Sequence, residues 1–298
     1  MCTGLIVKAT AGFYYVQSGG GRVECRARGI FRREGISPLV GDRVRITVQG
    51  EQGTVEEILP RRNRLARPAV ANVTRLVVVA SAADPAPVLF TLDKLTAIAV
   101  HAGIEPVMVF SKSDLGAAED FAALYRPAGF AAFAVSSRTG AGVEALRAAL
   151  GAGLNVFTGN SGVGKSSLLN CLCPGLALAT GAVSRRLGRG RHTTRVVELF
   201  PLGEEPDAWV ADTPGFSSLD IEQGQIIRRE ELPGVFPEFT PFLGRCRFDD
   251  CTHVCEPGCA VRAAVERGDI PAARHESYCR MMEEARALKE WDLPEQKP

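Results

Sequence analysis

A glycine-rich loop with a single lysine offers the clearest chemistry in the chain. Residues 159–166 read Gly-Asn-Ser-Gly-Val-Gly-Lys-Ser. Glycines at this spacing let backbone N–H groups turn inward around phosphates, while Lys165 reaches the outer two phosphates and Ser166 supplies a hydroxyl to Mg²⁺. The loop stands between an apolar run, 154–158, and a predicted helix, 165–173. The pattern therefore predicts a nucleotide-phosphate site, and the alternative is a glycine-rich structural turn.

A second phosphate-side motif, Asp-Thr-Pro-Gly at 212–215, follows the apolar residues 209–211. Asp212 is predicted to be a carboxylate on the metal side, and the Gly215 N–H is placed to contact the γ-phosphate. The next residue is Phe216, where Ras-like enzymes carry the glutamine that orients the attacking water. Because phenylalanine cannot orient water, we expect slow intrinsic turnover and a need for an activating partner.

Between these motifs lies a segment rich in arginine and glycine, residues 184–195. Its composition is unsuited to a core element and favours a switch loop. Either Thr193 or Thr194 is expected to bind Mg²⁺ when GTP is present. His192 is the nearest polar group able to orient water and is a candidate catalytic residue. Its alternative interpretation is a solvent-exposed or RNA-contacting histidine.

Two loops typical of guanine recognition come before the phosphate loop. Residues 111–114 read Ser-Lys-Ser-Asp, and Asp114 would accept hydrogen bonds from the guanine N1–H and 2-amino groups, which adenine does not offer. Lys112 would lie along the base. Ser111 replaces the usual asparagine, which weakens the prediction of guanine selectivity. Residues 136–138, Ser-Ser-Arg, would present a backbone N–H to the guanine O6.

The order of these motifs is itself informative. In an ordinary small GTPase the base-recognition loops follow the phosphate loop, whereas here they precede it, so the parts of a GTP site are present in circularly permuted order. Each motif directly follows an apolar run, at the carboxyl edge where α/β sheets bind ligands. The predicted nucleotide-binding residues are Ser111, Lys112, Asp114, Ser136, Ser137, Asn160, Ser161, Gly162, Val163, Gly164, Lys165, Ser166, Ser167, Thr193, Thr194, Asp212 and Gly215. The predicted catalytic residues are Lys165, His192 and Thr194.

A cluster of cysteines near the C-terminus predicts a metal site. The chain has nine cysteines, and this odd number without a secretory signal argues against a disulfide framework. Three thiolates and one imidazole at Cys246, Cys251, His253 and Cys259 have the composition of a structural, tetrahedral zinc site, one per chain. Cys255 is a fifth candidate ligand, and unligated reduced cysteines are the alternative.

The pattern of apolar runs predicts a multidomain protein with three parts. Residues 1–66 carry short strand-like runs broken by glycines, which favour a small β-barrel, an OB-fold first and an SH3-type barrel as the alternative. Residues 67–224 alternate strand and helix, as in a doubly wound α/β domain. Residues 225–298 lose the strand pattern and are predicted to form a helical zinc-binding domain.

Composition and charge indicate a soluble protein with a polyanionic partner. Apolar residues make up 46% and charged residues 23%, and no apolar run approaches the roughly 20 residues that span a bilayer. Residues 1–67 carry 12 Lys and Arg against six Asp and Glu, although the whole chain has a net charge of +1. We therefore expect a cytoplasmic monomer whose barrel binds nucleic acid, with a merely arginine-rich surface as the alternative.

These motifs together resemble the RsgA (YjeQ) family of circularly permuted GTPases. The resemblance rests on 159–166, Gly-Arg-His-Thr-Thr at 190–194, Asp-Thr-Pro-Gly-Phe at 212–216 and the cysteine–histidine spacing. It implies an OB-fold, a permuted GTPase domain and a zinc domain. It also implies GTP hydrolysis stimulated by the small ribosomal subunit, contacts with its rRNA, and a role in late maturation of that subunit. By the same resemblance, His192 takes part in hydrolysis.

Two other classes of protein compete with this interpretation. A P-loop ATPase or small-molecule kinase would need neither a base-reading Asp114 nor a basic barrel, and competition between GTP and ATP separates the two. A non-enzymatic RNA-binding adaptor would not need an intact Lys165, Ser166 and Asp212.

Overall fold

The computed structural model describes residues 1–33, 35–173, 176, 197–203, 207–212, 221 and 226–287, with only the backbone at Arg32 and Asp212. Within these residues the chain forms a barrel, an α/β layer structure and a helical C-terminal part. None of the helices in these ranges is long and apolar enough to cross a membrane.

The N-terminal part is a closed barrel of five strands. Its elements are β1 Cys2–Thr10, β2 Phe13–Ser18, β3 Gly21–Ala27, α1 Gly29–Arg33, β4 Arg43–Gln49 and β5 Gln52–Ile58. The strands follow the order β1-β2-β3-β5-β4, and β4 pairs back onto β1 to close the barrel. The β3–β5 pair is parallel and the other pairs are antiparallel. Ile6, Val16, Ile46 and Val55 fill the interior. This strand order confirms the OB-fold.

The central part is a mostly parallel sheet covered by helices. Its strands are β8 Arg75–Ser81, β9 Glu105–Ser111, β10 Ala131–Ala134, β11 Gly153–Thr158, β12 Glu198–Pro201 and β13 Ala208–Asp212, and a short hairpin, β6 Arg64–Leu65 and β7 Val70–Ala71, precedes them. The helices are α2 Leu89–His101, α3 Ala118–Tyr125, α4 Val143–Leu150 and α5 Lys165–Leu172. Strands buried on both faces read as continuous apolar runs, which is why this α/β pattern is visible in the sequence.

The strand order places a ligand site between β8 and β11. The sheet runs β10-β9-β8-β11-β13-β12, and only β12 is antiparallel to its neighbour β13. From β8 the chain moves outward through β9 and β10, and it then returns to the other side of β8 as β11. Ligands of such sheets bind at the carboxyl ends of the strands where this reversal occurs. The glycine-rich loop begins there, directly after Thr158.

The barrel and the central sheet are joined rather than merely adjacent. Strand β1 pairs with β12 at Lys8 and Glu198, so the described strands of both parts form one sheet of eleven. Glu198 accepts from the Lys8 Nζ at 2.6 Å and from the Arg22 guanidinium at 3.0 Å. A Cβ at Gly41 would lie 2.1 Å from the Ala71 carbonyl oxygen, so only glycine permits this close approach.

The C-terminal part is helical and has its own core. Two 3₁₀ turns, Leu232–Val235 and Pro237–Phe242, precede α6 Ala260–Arg267 and α7 Ala272–Ala287. Phe236, Phe239, Tyr278 and Met282 form the centre of this core, and Ala97 of α2 belongs to the same cluster. The structure therefore confirms a helical C-terminal part, which packs against the central sheet's helix α2.

Candidate nucleotide and metal sites

The glycine-rich loop has a conformation that its glycines permit. Gly159, Gly162 and Gly164 have φ values of 155°, 86° and 88°, in the region that favours glycine. A Cβ at Gly159 would lie 2.3 Å from the Val79 carbonyl oxygen. Gly164 is the N-cap of α5, so Lys165 and Ser166 form the first turn of that helix. The N–H groups and dipole of a helix N-terminus favour an anion, so the conformation of this loop fits the predicted phosphate site.

Ser111 connects the base-recognition loop to the phosphate loop. Its side chain is buried, and its hydroxyl lies 2.5 Å from the Val163 carbonyl oxygen and 3.2 Å from the Ala80 carbonyl oxygen. Val163 is the residue before Gly164. The serine that departs from the usual asparagine thus makes a direct bond between the two predicted halves of the nucleotide site.

Both carboxylate oxygens of Asp114 accept hydrogen bonds from the loop at 136–138. The Ser136 hydroxyl donates to Oδ1 at 2.5 Å, and the Arg138 Nε donates to Oδ2 at 2.8 Å. The Ser136 bond, joined by Arg138 and opposed by desolvation, lowers the pKa of the Asp114 carboxyl. The group is therefore an ionised acceptor, as recognition of guanine N1–H and 2-amino donors requires.

The loop that follows β8 joins the same edge of the sheet. Lys112, which has a φ of 58°, donates from its Nζ to the Asp84 carbonyl. The thiol of Cys171 on α5 lies 3.5 Å from the Ser137 carbonyl. The loops at 111–114, 136–138 and 159–164 therefore meet at one edge, as the sequence analysis predicted for strands with aligned carboxyl ends.

The structure brings the four predicted metal ligands together. The ligand atoms of Cys246, Cys251, His253 and Cys259 all lie within 4.8 Å of one another, and the group could hold a metal ion. The His253 Nδ1 is 3.5 Å from the sulfurs of both Cys246 and Cys259, and these sulfurs are 3.9 Å apart. Cys255 is exposed and is not part of this group.

Burial shifts the pKa values of the residues in this cluster toward their neutral forms. Burial, together with the neighbouring thiols, raises the pKa of the Cys251 thiol to about 12. Burial also lowers the pKa of His253, so its imidazole is neutral and can act as a ligand. Thiolates at these positions would need a positive charge beside them, which a metal ion would supply. His253 has a φ of 60°, a conformation uncommon outside glycine, and this turns its ring toward the sulfurs.

Hydrogen bonds from the backbone hold the metal ligands and the loop that carries them. The backbone N–H groups of Ala260 and Arg262, at the start of α6, each lie 3.4 Å from a cysteine sulfur. The Glu256 carboxylate accepts from the backbone N–H groups of Thr252, Val254 and Cys255 and from the Thr252 hydroxyl. These bonds outweigh desolvation and lower the pKa of Glu256 to about 2. Sequence spacing gave no sign of this carboxylate.

Several predicted site residues lie outside the described part of the chain. These are His192, Thr193, Thr194, Gly215 and the neighbouring Phe216. For Asp212 the structure gives the backbone, which ends β13 directly beside β11. Their proposed roles are therefore still predictions.

This geometry defines a P-loop nucleotide-binding protein in which the base-recognition loops precede the phosphate loop, with an attached OB-type barrel. The RsgA GTPase family model matches residues 58–222, and the RsgA N-terminal domain model matches residues 3–55. The chain belongs to the RsgA GTPase family and is an enzyme that hydrolyses GTP.

Relatives and solved structures extend over almost the whole chain. The small ribosomal subunit biogenesis GTPase RsgA of Moorella thermoacetica is 47% identical over 285 residues, covering 94% of this chain and 96% of the relative. The protein of the same name from a Geobacillus species is 44% identical and covers 97% and 99%. The crystal structure of YjeQ from Thermotoga maritima has a TM-score of 0.82 at 34% identity and covers 97% and 99%. YloQ, described as a circularly permuted GTPase, has a TM-score of 0.79 at 35% identity, with 97% of this chain and 96% of YloQ covered.

Proposed function

We propose that the protein binds the small ribosomal subunit and its rRNA, assists late maturation of that subunit, and hydrolyses GTP when the subunit stimulates it. The observation that carries this proposal is the match to relatives named small ribosomal subunit biogenesis GTPases, which spans 94% or more of this chain. All three parts, 1–66, 67–224 and 225–298, would then contribute. The same partner favours a cytoplasmic protein, acting as a monomer.

In the proposed nucleotide site, the base and the phosphates are held by different loops. Asp114 accepts from the guanine edge, Ser136 orients that carboxylate, and Lys112 lies along the base. The N–H groups of the glycine-rich loop hold the phosphates. The other proposed nucleotide contacts are Ser111, Ser137, Asn160, Ser161, Gly162, Val163, Gly164, Ser167 and Gly215.

The proposed chemistry is hydrolysis with little covalent participation by the protein. Ser166, Asp212 and either Thr193 or Thr194 would hold Mg²⁺, which supplies positive charge to the phosphate oxygens. Lys165 stabilises charge on the outer phosphates. His192 orients the attacking water, since Phe216 stands where other enzymes carry the glutamine that performs this task. We propose that the subunit's rRNA places His192, which makes turnover depend on the partner.

Zinc is the metal that the cysteine–histidine cluster fits best. A tetrahedron with Zn–S bonds of about 2.3 Å has edges of about 3.8 Å. The separations among Cys246, Cys259 and the His253 Nδ1 are 3.5 to 3.9 Å, close to those edges. Four protein ligands leave no position for substrate, so the proposed role is structural. Elemental analysis of purified protein should find one zinc per chain, and a folded C-terminal part without metal would contradict the assignment.

Arginine side chains stacked on aromatic rings support RNA as the partner. On strands β2 and β3 the Arg26 guanidinium lies 4.7 Å from the Phe13 ring centroid, and the Arg22 guanidinium lies 5.0 Å from that of Tyr15. Next to Cys246 in the metal-binding loop, Arg247 lies 5.5 Å from the ring of Phe248. Such pairs bind phosphates and stack on unpaired bases.

A turnover assay with and without small ribosomal subunits tests the proposal. Subunits should raise the rate of GTP hydrolysis strongly, and ATP should not compete with GTP at equal concentration. His192→Ala should lower the stimulated rate while leaving the affinity for GTP near that of the wild type, because the imidazole would act on the transition state. Equal turnover with and without subunits would remove the proposal. Competition by ATP would instead favour the ATPase class.

A further inference from the structure

An arginine on the last helix, Arg274, is the largest fully buried side chain of the described chain and lies between two carboxylates. Its Nη1 donates to the Asp93 Oδ1 at 2.7 Å, and its Nε donates to the Glu238 Oε1 at 2.8 Å. The side chains of all three residues are 2% exposed or less. The Thr96 hydroxyl accepts a further bond from Arg274 at 3.0 Å. A buried arginine with two carboxylate partners is a specific contact, because either partner left alone would be an uncompensated charge.

This triad crosses the boundary between the central and C-terminal parts. Arg274 and Glu238 belong to the C-terminal part, whereas Asp93 lies on α2 of the nucleotide-binding part. Two more exposed contacts join the same two helices. The Lys94 Nζ is 2.8 Å from a Glu284 carboxylate oxygen, and the Arg280 guanidinium lies 3.8 Å from the Phe90 ring centroid.

On one side, the triad reaches the strand that carries the base-recognition loop. The Tyr125 hydroxyl donates to the Asp93 Oδ1 at 2.9 Å, the same oxygen that Arg274 binds. The Tyr125 ring packs on Phe110 with centroids 5.7 Å apart, and Phe110 directly precedes Ser111. Tyr125 ends α3, the helix that follows the loop bearing Asp114. Asp93 therefore binds the C-terminal end of α3, and the N-terminal end of this helix follows the loop that bears Asp114.

On the other side, the triad reaches the metal cluster. The Arg274 guanidinium lies over the Phe236 ring at 4.8 Å, and Phe236 contacts Tyr278 edge to face at 5.2 Å. The Tyr278 hydroxyl donates to the Thr252 carbonyl at 2.7 Å. Thr252 stands between two proposed ligands, Cys251 and His253. A continuous series of contacts, partly exposed only at Thr252, thus joins the metal-binding loop to α3.

We propose that Asp93 and Arg274 are positioning residues that make the order of the base-recognition loop depend on the docked C-terminal part. The inference rests on the proposed role of Asp114 in reading guanine. Asp93→Asn removes the interdomain ion pair and, with it, the charged acceptor of Tyr125, which loosens α3. The selectivity of Asp114 for the 2-amino group of guanine then falls, while the phosphate loop, on the other side of the site, keeps its contacts.

Asp93→Asn is the sharpest test, because it cuts the interdomain ion pair and leaves the Arg274–Glu238 pair within the C-terminal part intact. Arg274→Met is the second variant, and Glu284→Ala, which removes the exposed pair with Lys94, is the matched control. Metal content, amide hydrogen exchange in α3, and the Kd values for GDP and for inosine diphosphate, which lacks the 2-amino group, are measured for each.

In Asp93→Asn we expect faster exchange in α3 and a preference for GDP over inosine diphosphate reduced about fivefold, with metal content unchanged. Unchanged exchange and preference in the folded, metal-containing variant would overturn the inference. The same losses in Glu284→Ala would also overturn it, since docking in general would then be responsible. If the wild type bound GDP and inosine diphosphate equally well, the assignment of Asp114 as the guanine-reading residue would be refuted instead. Hydrogen exchange in α3 would then be the measurement that decides whether Asp93 positions that helix.

Discussion

Ser111, which stands where the guanine-recognition motif usually has asparagine, still makes a hydrogen bond to the phosphate loop. The shorter side chain reaches the phosphate loop because the two loops approach closely. Gly164 lies so near that its Cβ would be 3.7 Å from the Ser111 hydroxyl. The sequence revealed the substitution but not the bond to the Val163 carbonyl, which depends on how β9 and β11 are placed on either side of β8.

Ser111→Ala should therefore weaken nucleotide binding. The change leaves the buried Val163 carbonyl without this donor, which costs about 1–3 kcal/mol, and affinity for GDP should fall about tenfold. Titration with a fluorescent GDP analogue measures the loss. Ser113→Ala, in the same loop, is the control. Wild-type affinity in Ser111→Ala would mean that the hydroxyl does not position the phosphate loop.

Asp114→Asn should change which base is preferred. An asparagine amide donates where the carboxylate accepted, so binding should shift from guanine toward xanthine nucleotides. In the wild type, the hydrogen bonds from Ser136 and Arg138 hold the pKa of Asp114 below its ordinary value of 3.8. These bonds are thus fully present above that value and are lost only as pH falls through the lower, folded pKa. Competition between GDP and xanthosine diphosphate decides the first point, and guanine preference that already weakens near neutral pH would contradict the second.

At the scale of elements, burial decides what the sequence reveals. Strands β8, β9 and β11 are apolar on both faces, and the apolar runs 76–80, 106–110 and 154–158 predict their bounds to within one residue at each end. Strand β5 contains no apolar run that would predict it, because only Gly53 and Val55 of its seven residues are buried. The Asp93–Arg274 pair could not be predicted either, since 181 residues separate its members and no local pattern links them.

The loop around Glu256 gives a prediction at this scale. Its carboxylate accepts hydrogen bonds from backbone N–H groups of the residues next to the metal ligands Cys251 and His253. Glu256→Gln would remove the negative charge while keeping the size of the side chain. We expect metal affinity to fall about tenfold, as for other groups that orient metal ligands. Competition with a chelator measures it, and Glu266→Gln on α6 is the control. Because the pKa of Glu256 is about 2, its contribution should persist above its ordinary pKa of 4.5 and disappear only as pH falls toward 2.

At the scale of the whole molecule, the basic barrel is built directly onto the enzyme's sheet. The Glu198 carboxylate, held by Lys8 and Arg22, follows Thr194 by four residues. RNA bound to the barrel would therefore be held at a fixed position relative to the strand that follows the arginine-rich segment. This arrangement gives a physical reason why the partner of the barrel could control hydrolysis.

Arg26→Ala should test that arrangement. The change would remove one proposed phosphate contact and half of the stacked pair with Phe13, so a higher concentration of small subunits should be needed for half-maximal stimulation. The salt dependence of binding should become less steep by about one unit in the logarithmic slope. Intrinsic GTP turnover should not change, because Arg26 is exposed on the barrel. Arg45→Ala is the control, because it removes the same charge from another part of the barrel. Arg45 pairs with Glu57 at 2.6 Å on β4 and β5. Equal losses in both variants would show that only the net charge of the barrel matters and that the face formed by β2 and β3 is not the RNA-binding surface.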